Sequence, residues 1–186
     1  IAGDLVSDFS DFLVSGKRLR AGLVKLGYEV SGGKESSQIL PIATAVEVLH
    51  GALLVHDDII DDDLLRHGKP TIHARYKARQ EKRGGNNTLH YGESMGVIVG
   101  DIALYEAIRL ILSSNLSNKV KERIVGELAD VVITTGFGEA LDVELTHRPH
   151  VTEKDILDIY RLKTSSYTSV GPLTLGALAA EAGGQE

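Results

Sequence analysis

The chain has 186 residues, 42% hydrophobic and 25% charged, with a net charge of −6. That length suffices for one domain with a sizeable core, the mix is that of a soluble globular protein, and the acidic balance excludes a broad nucleic-acid surface. The absence of cysteine excludes disulfides and thiolate metal sites and fits a reducing cytoplasm.

In chain order, "SGKRLR" (Ser15 to Arg20) comes first. Lys17 and Arg20 stand three apart, so on a helix start they share a face that suits phosphate; a solvated basic face would carry the same string. A helix is predicted from about Pro41 to Leu65, opened by a proline tolerated in a first turn and stopped by Arg66, His67, Gly68 and Pro70. Gly84-Gly85-Asn86-Asn87 is an exposed loop. Helical spacing covers Glu93 to Leu112, with Asp101 interrupting it, expected as a satisfied buried carboxylate. Ser117 caps a helix to about Thr146, Pro149 breaks it, and Thr152 with Asp155 restarts one that Gly171-Pro172 kinks. No run alternates as strands do, so the fold class is all-α, a helical bundle forming a single domain over residues 1–186. No signal peptide is visible and no apolar run is of membrane-spanning length, so no membrane anchor is expected.

Five aspartates fall within seven residues of the Pro41–Leu65 segment, at positions 57, 58, 61, 62 and 63. Ile42, Val46, Leu49, Leu53, Ile60 and Leu64 make most sides of this helix apolar, so it is central and buried. Glu47, His50, Asp57 and Asp61 form one polar stripe along it. Two like charges about 4 Å apart repel by roughly 4 kcal/mol at an effective dielectric near 20. A cation relieves this, and hard oxygen donors select Mg²⁺, which completes its shell with water and phosphate oxygens. The spacing therefore suggests a diphosphate site. A solvated acidic helix end is the alternative.

Further along, Lys163 has hydroxyl neighbours from Thr164 to Ser166, suited to phosphate; a lysine stretched along a bundle helix is the alternative. Glu139 and Asp142 share another helix face, where an outward salt-bridged face is expected.

The order of these signs resembles that of the trans-isoprenyl diphosphate synthases, the polyprenyl synthetase family. The matching motifs run from Gly16-Lys17-Arg18-Leu19-Arg20 through Glu47-Val48-Leu49-His50, His56-Asp57-Asp58-Ile59-Ile60-Asp61 and Arg66. They continue through Gly68-Lys69-Pro70-Thr71, Tyr91-Gly92-Glu93-Ser94 with Val99-Gly100-Asp101, and Gly138-Glu139-Ala140-Leu141-Asp142 to the Tyr160–Tyr167 segment. The resemblance implies the isoprenoid synthase fold, a bundle around a central cavity, and Mg²⁺-dependent condensation of isopentenyl diphosphate with an allylic diphosphate. By the same resemblance, Asp57, Asp58, Asp61 and Lys163 carry catalysis and Asp57 and Asp61 hold the Mg²⁺ ions. Arg66, Lys163 and Thr164 contact the allylic diphosphate; Lys17, Arg20, His50 and His67 serve isopentenyl diphosphate. A homodimer through the Glu93–Leu112 helix is implied too. Ala52 and Leu53, about one turn before Asp57, line the chain-length floor. With no aromatic there, a geranylgeranyl or longer product is expected.

The sequence departs from the family pattern in four places. His67 stands where a second arginine is usual; adjacent negative charge favours a protonated imidazole, so affinity for isopentenyl diphosphate should weaken above neutral pH. Ala21 replaces a usual proline, and Glu139 stands where some members carry glutamine. No second aspartate-rich motif follows Ala177-Leu178-Ala179. With Ile1 at the start and Met95 the only methionine, the chain reads as the amino-terminal and central part of a longer protein, inactive alone. A non-catalytic or regulatory homologue is the second reading. A terpene cyclase is the third, disfavoured by Lys17, Arg20 and His50.

Overall fold

The computed structural model describes residues 2–14 and 16–181. In chain order the elements are α1 (Ala2–Leu13), α2 (Leu19–Val30), α3 (Ser36–Ile60), β1 (Leu65–Arg66), β2 (Lys69–Pro70), α4 (Ile72–Lys82), α5 (Thr88–Leu112), α6 (Asn118–Thr146) and α7 (Glu153–Ile159). A π-helical segment (Tyr160–Val170) and α8 (Gly171–Ala180) complete the order. The all-α expectation holds, apart from one hairpin of two-residue strands. The chain divides into two compact units, one of Ile1–Arg18 with Ala45–Arg109 and one of Leu19–Thr44 with Leu110–Glu186.

In the first unit, Val55, Ile72, Tyr76 and Val99 form a core against which Leu5, Phe9, Phe12, Tyr91 and Met95 pack. A clasp holds α1 on α4. The carboxylate of Asp8, 6% exposed, accepts from Arg79 Nη2 at 2.6 Å and from the Tyr76 hydroxyl at 3.0 Å. Burial works to raise the Asp8 pKa, but the bonds from Arg79 and Tyr76, with the charges of Arg79 and Arg75, hold it below the usual carboxylate value.

In the second unit, α2 lies against α8 with the backbones in contact. A Cβ on Gly176 would fall 2.0 Å from the Val24 carbonyl oxygen, so only glycine permits that approach. Val24, Ile42, Ile124 and Leu175 are among its buried side chains. Pro172 has no N–H for a helical bond and its ring crowds the preceding turn; it stands in the first turn of α8, directly after the widened π-helical turns.

Helix ends follow local chemistry. Ser117 accepts from Val120 N, and Thr152 and Asp155 form a reciprocal capping box, both as expected. The start of α3 is Ser36 rather than Pro41, and its end is Ile60 rather than Leu65. Three consecutive aspartates oppose the negative end of the helix dipole. Asp62 turns left-handed (φ 55°), Asp63 N–H bonds the Asp58 carbonyl at 2.8 Å, and Asp62 N–H bonds the Ile59 carbonyl at 3.3 Å. This is a Schellman cap with aspartate in the place glycine usually takes. By length and composition α3 could cross a membrane, contrary to expectation, but 56% of its most apolar window is buried inside the protein.

Candidate active site

In the first unit, the site begins where α3 ends. After the cap the chain pairs Leu65 with Pro70 and Arg66 with Lys69, antiparallel. His67 (φ 53°) and Gly68 (φ 76°) make the two-residue connection. Positive φ at both positions is the type I′ turn, which matches strand twist. Histidine is among the side chains that enter this region more readily than most. The hairpin turns Arg66 back onto α3, where its Nε donates to Asp58 Oδ1 at 2.6 Å and its Nη2 to Asp57 Oδ2 at 2.9 Å.

The aspartates of the motif differ sharply. Asp58 has no exposed surface, and its Oδ2 has no hydrogen-bond partner among the described residues. Burial pushes its carboxyl up to about 6, against the lowering effect of Arg66. Asp57 is partly exposed, 22% of its side chain. Asp61 lies one turn on, its N–H bonded to the Asp57 carbonyl at 2.9 Å, and is exposed. Asp57 and Asp61 are thus a pair of hard oxygen donors one turn apart at a helix end, which fits Mg²⁺ bound through one or two carboxylates. Among the described residues no group of three or more potential metal ligands is assembled.

Beside them opens a small polar cleft. Glu47, His50 and Leu54 of α3 line it with Asp11, Arg66, His67, Lys69 and Arg75. Arg75 braces the hairpin, donating to the Pro70 carbonyl at 3.0 Å and the Asp8 carbonyl at 3.3 Å. Lys69 stands in the Gly68–Thr71 motif, but the sequence assigns neither it nor Arg75 a binding role. The signal was there: a His-Gly turn of two residues sets Lys69 opposite Arg66. Ala52 is fully buried, whereas Leu53 is half-buried.

Lys17 and Arg20 do not share a helix. Lys17 precedes α2, and Arg18 is left-handed (φ 53°), which breaks the periodicity that would align them. Asp101 is 62% exposed with His56 Nε2 at 3.5 Å, not a buried carboxylate, because α5 turns that face outward.

In the second unit, Lys163 donates to Asp142 at 2.8 Å and lies 2.8 Å from Glu139, all three partly buried. The α6 carboxylates are therefore salt-bridged by this lysine, but partly buried against the π-helical segment rather than on the outward face expected. Gly138 lets the π-helical segment close on α6: a Cβ there would fall 2.5 Å from Lys163 N. Thr164 is exposed. Arg20 lies 4.4 Å over the Tyr167 ring and donates to Thr168 at 3.0 Å.

The polyprenyl synthetase family profile matches residues 4–186. The chain belongs to this family. It is 31% identical over 173 residues to the short chain isoprenyl diphosphate synthase of Methanocaldococcus jannaschii, covering 92% of this chain and 46% of that protein. To the geranylgeranyl diphosphate synthase of Sulfolobus acidocaldarius it is 32% identical, covering 89% and 47%. The crystal structure of geranylgeranyl pyrophosphate synthase from Corynebacterium glutamicum, complexed with isoprenyl diphosphate and magnesium, superposes with a TM-score of 0.90 at 28% identity. That match covers 96% of this chain and 52% of that one. The fold is therefore the isoprenoid synthase fold, and the chain spans about half the length of the curated relatives it matches.

Proposed function

We propose that the protein is a Mg²⁺-dependent polyprenyl diphosphate synthase, condensing isopentenyl diphosphate with an allylic diphosphate. The observation that carries this is the aspartate pair at the end of buried α3, with Arg66 held against it, in a chain of the polyprenyl synthetase family.

In this reading Asp57 and Asp61 hold the metal. Bound Mg²⁺ would supply positive charge to the diphosphate oxygens as the allylic carbon–oxygen bond breaks. Arg66, Lys163 and Thr164 bind the allylic diphosphate, and fixed cations there stabilise the charge that develops on the leaving group. Asp58 acts through Arg66: its buried carboxylate fixes the guanidinium by Nε. Lys17, Arg20, His50 and His67 bind isopentenyl diphosphate and set its double bond toward the allylic carbon. After carbon–carbon bond formation a proton is lost to the departing diphosphate, so no side chain is assigned as general base. Apolar walls keep water from the cation. Leu53, with Ala52 behind it, borders the path of the growing chain, and a geranylgeranyl or longer product follows from the absence of an aromatic there.

A homodimer is part of the reading. Ile98, Ile102 and Tyr105 form an exposed apolar strip on α5, Tyr105 being 70% exposed, of the kind a partner covers.

The test is incubation of the full-length protein with isopentenyl diphosphate, allylic primers of several lengths and Mg²⁺ or EDTA, followed by sizing of the lipids. Elongated products that require Mg²⁺ and isopentenyl diphosphate support the proposal. Cyclised products formed without isopentenyl diphosphate, or none, refute it.

A further inference from the structure

We propose that Lys69 is a diphosphate-binding residue of the polar cleft, supplying there the permanent charge that His67 does not. The inference rests on the function proposed above and names a further residue for isopentenyl diphosphate.

Lys69 is the cross-strand partner of Arg66, and such partners project from the same face of a hairpin. Both line the cleft. Three lysine or arginine side chains line it, Arg66, Lys69 and Arg75, against two carboxylates, Asp11 and Glu47. Arg66 is further offset by Asp57 and Asp58, so the positive charge the cleft can present to an anion comes from Lys69 and Arg75. The two arginines are already engaged. Arg66 holds Asp57 and Asp58, and Arg75 holds the carbonyls of Pro70 and Asp8. The Lys69 ammonium makes no hydrogen bond or ion pair with the described residues, so its three donors are available to an anion.

His67 also has a backbone duty. It occupies the first central position of the turn at φ 53°, one of the two positions where a type I′ turn requires positive φ. A histidine there keeps the hairpin and a lysine two residues on keeps the charge. The turn brings that lysine back beside Arg66, which an extended chain would not do.

The experiment uses the full-length protein and two variants, Lys69→Gln and Lys69→Arg. Lys69 is exposed, so thermal melts of all three should coincide. Lys69→Gln should raise KM for isopentenyl diphosphate about tenfold or more, the loss expected for one charged hydrogen-bonding partner. The allylic KM and kcat should stay within about twofold, and Lys69→Arg should recover most of the loss. Calorimetric titration with inorganic pyrophosphate in EDTA reads the cleft without the metal site, and affinity should fall by a similar factor in Lys69→Gln. An unchanged KM for isopentenyl diphosphate, or an equal rise in both KM values, overturns the inference. If the wild-type protein forms no prenyl product, the proposed function fails, and the pyrophosphate titration alone decides on Lys69: equal affinity in wild type and Lys69→Gln sinks it.

Discussion

The guanidinium of Arg66 donates through Nε to the carboxylate of Asp58 at 2.6 Å, and Asp58 has no exposed surface. Removing Arg66 strands the buried Asp58 carboxylate, whereas removing the Asp58 charge leaves Arg66 only its bond to Asp57. A buried pair broken on one side costs about 3–5 kcal/mol, while removing both costs much less than the sum. Arg66→Met and Asp58→Asn should each lower stability by about 3 kcal/mol, discounted slightly because Arg66 is partly exposed. The double variant should fall well short of additivity. Urea denaturation of the four proteins checks this, and strict additivity would show that the bond adds no coupling.

Asp8 makes the second prediction, on pH. Its folded pKa lies below the ordinary carboxylate value because Arg79 and Tyr76 outweigh the effect of burial. The folded state therefore binds fewer protons than the unfolded state as the pH drops through the carboxylate range. The stabilisation is present above the unfolded pKa and is lost as pH falls through the folded one. Asp8→Asn should cost about 2 kcal/mol near pH 7, moderated by the exposure of Arg79, and less near pH 3. Denaturation midpoints across that range should converge at the acid end; parallel curves for the two proteins would contradict the assignment.

What was legible in the sequence was what chemistry within a few residues decides. Ser117 and the Thr152–Asp155 box mark helix starts because their bonds span three residues. α3 ends before the Leu65 that its sequence suggests because Asp62 takes the left-handed position that a glycine usually advertises. The following His67-Gly68 pair reads locally as a stop signal but makes a hairpin turn, and that turn is what sets Lys69 beside Arg66. Lys17 and Arg20 do not align on one helix because α2 begins only at Leu19. The separate fates of Asp57, Asp58 and Asp61, partly exposed, buried and exposed, depend on where the hairpin folds back. Periodicity within α3 carries no record of that. Nor could it locate Lys163 against Glu139 and Asp142, which requires two segments of distant sequence to meet.

Glycines on α6 allow a paired test of close approach. Gly138→Ala places a methyl 2.5 Å from the Lys163 backbone nitrogen and 2.9 Å from the Leu162 carbonyl carbon. Neither backbone atom can swing away as a side-chain tip would, so the cost should be about 1–3 kcal/mol. Gly136→Ala has nothing within 4 Å of the new carbon and should instead stabilise by about 0.5–1 kcal/mol, the helix-propensity gain. Thermal melts that shift in opposite directions would bear this out; a stable Gly138→Ala protein would mean that the π-helical segment does not sit tightly on α6.

Ala52 and Leu53 allow product length to be separated from packing. Ala52 has no exposed surface, so Ala52→Phe forces a ring into filled space and should destabilise by about 1–3 kcal/mol. Leu53 is half-buried, and Leu53→Phe adds bulk with room to adjust, at a smaller cost. If the growing chain passes this level of α3, both variants of the full-length enzyme should make shorter lipids, and Leu53→Phe should do so with the smaller loss of stability. Chromatography of the products beside melts of the same preparations distinguishes the cases. A lowered melting temperature with an unchanged product profile in Ala52→Phe would remove Ala52 from the chain-length boundary. The same unchanged profile in Leu53→Phe would move that boundary away from this turn of α3 altogether.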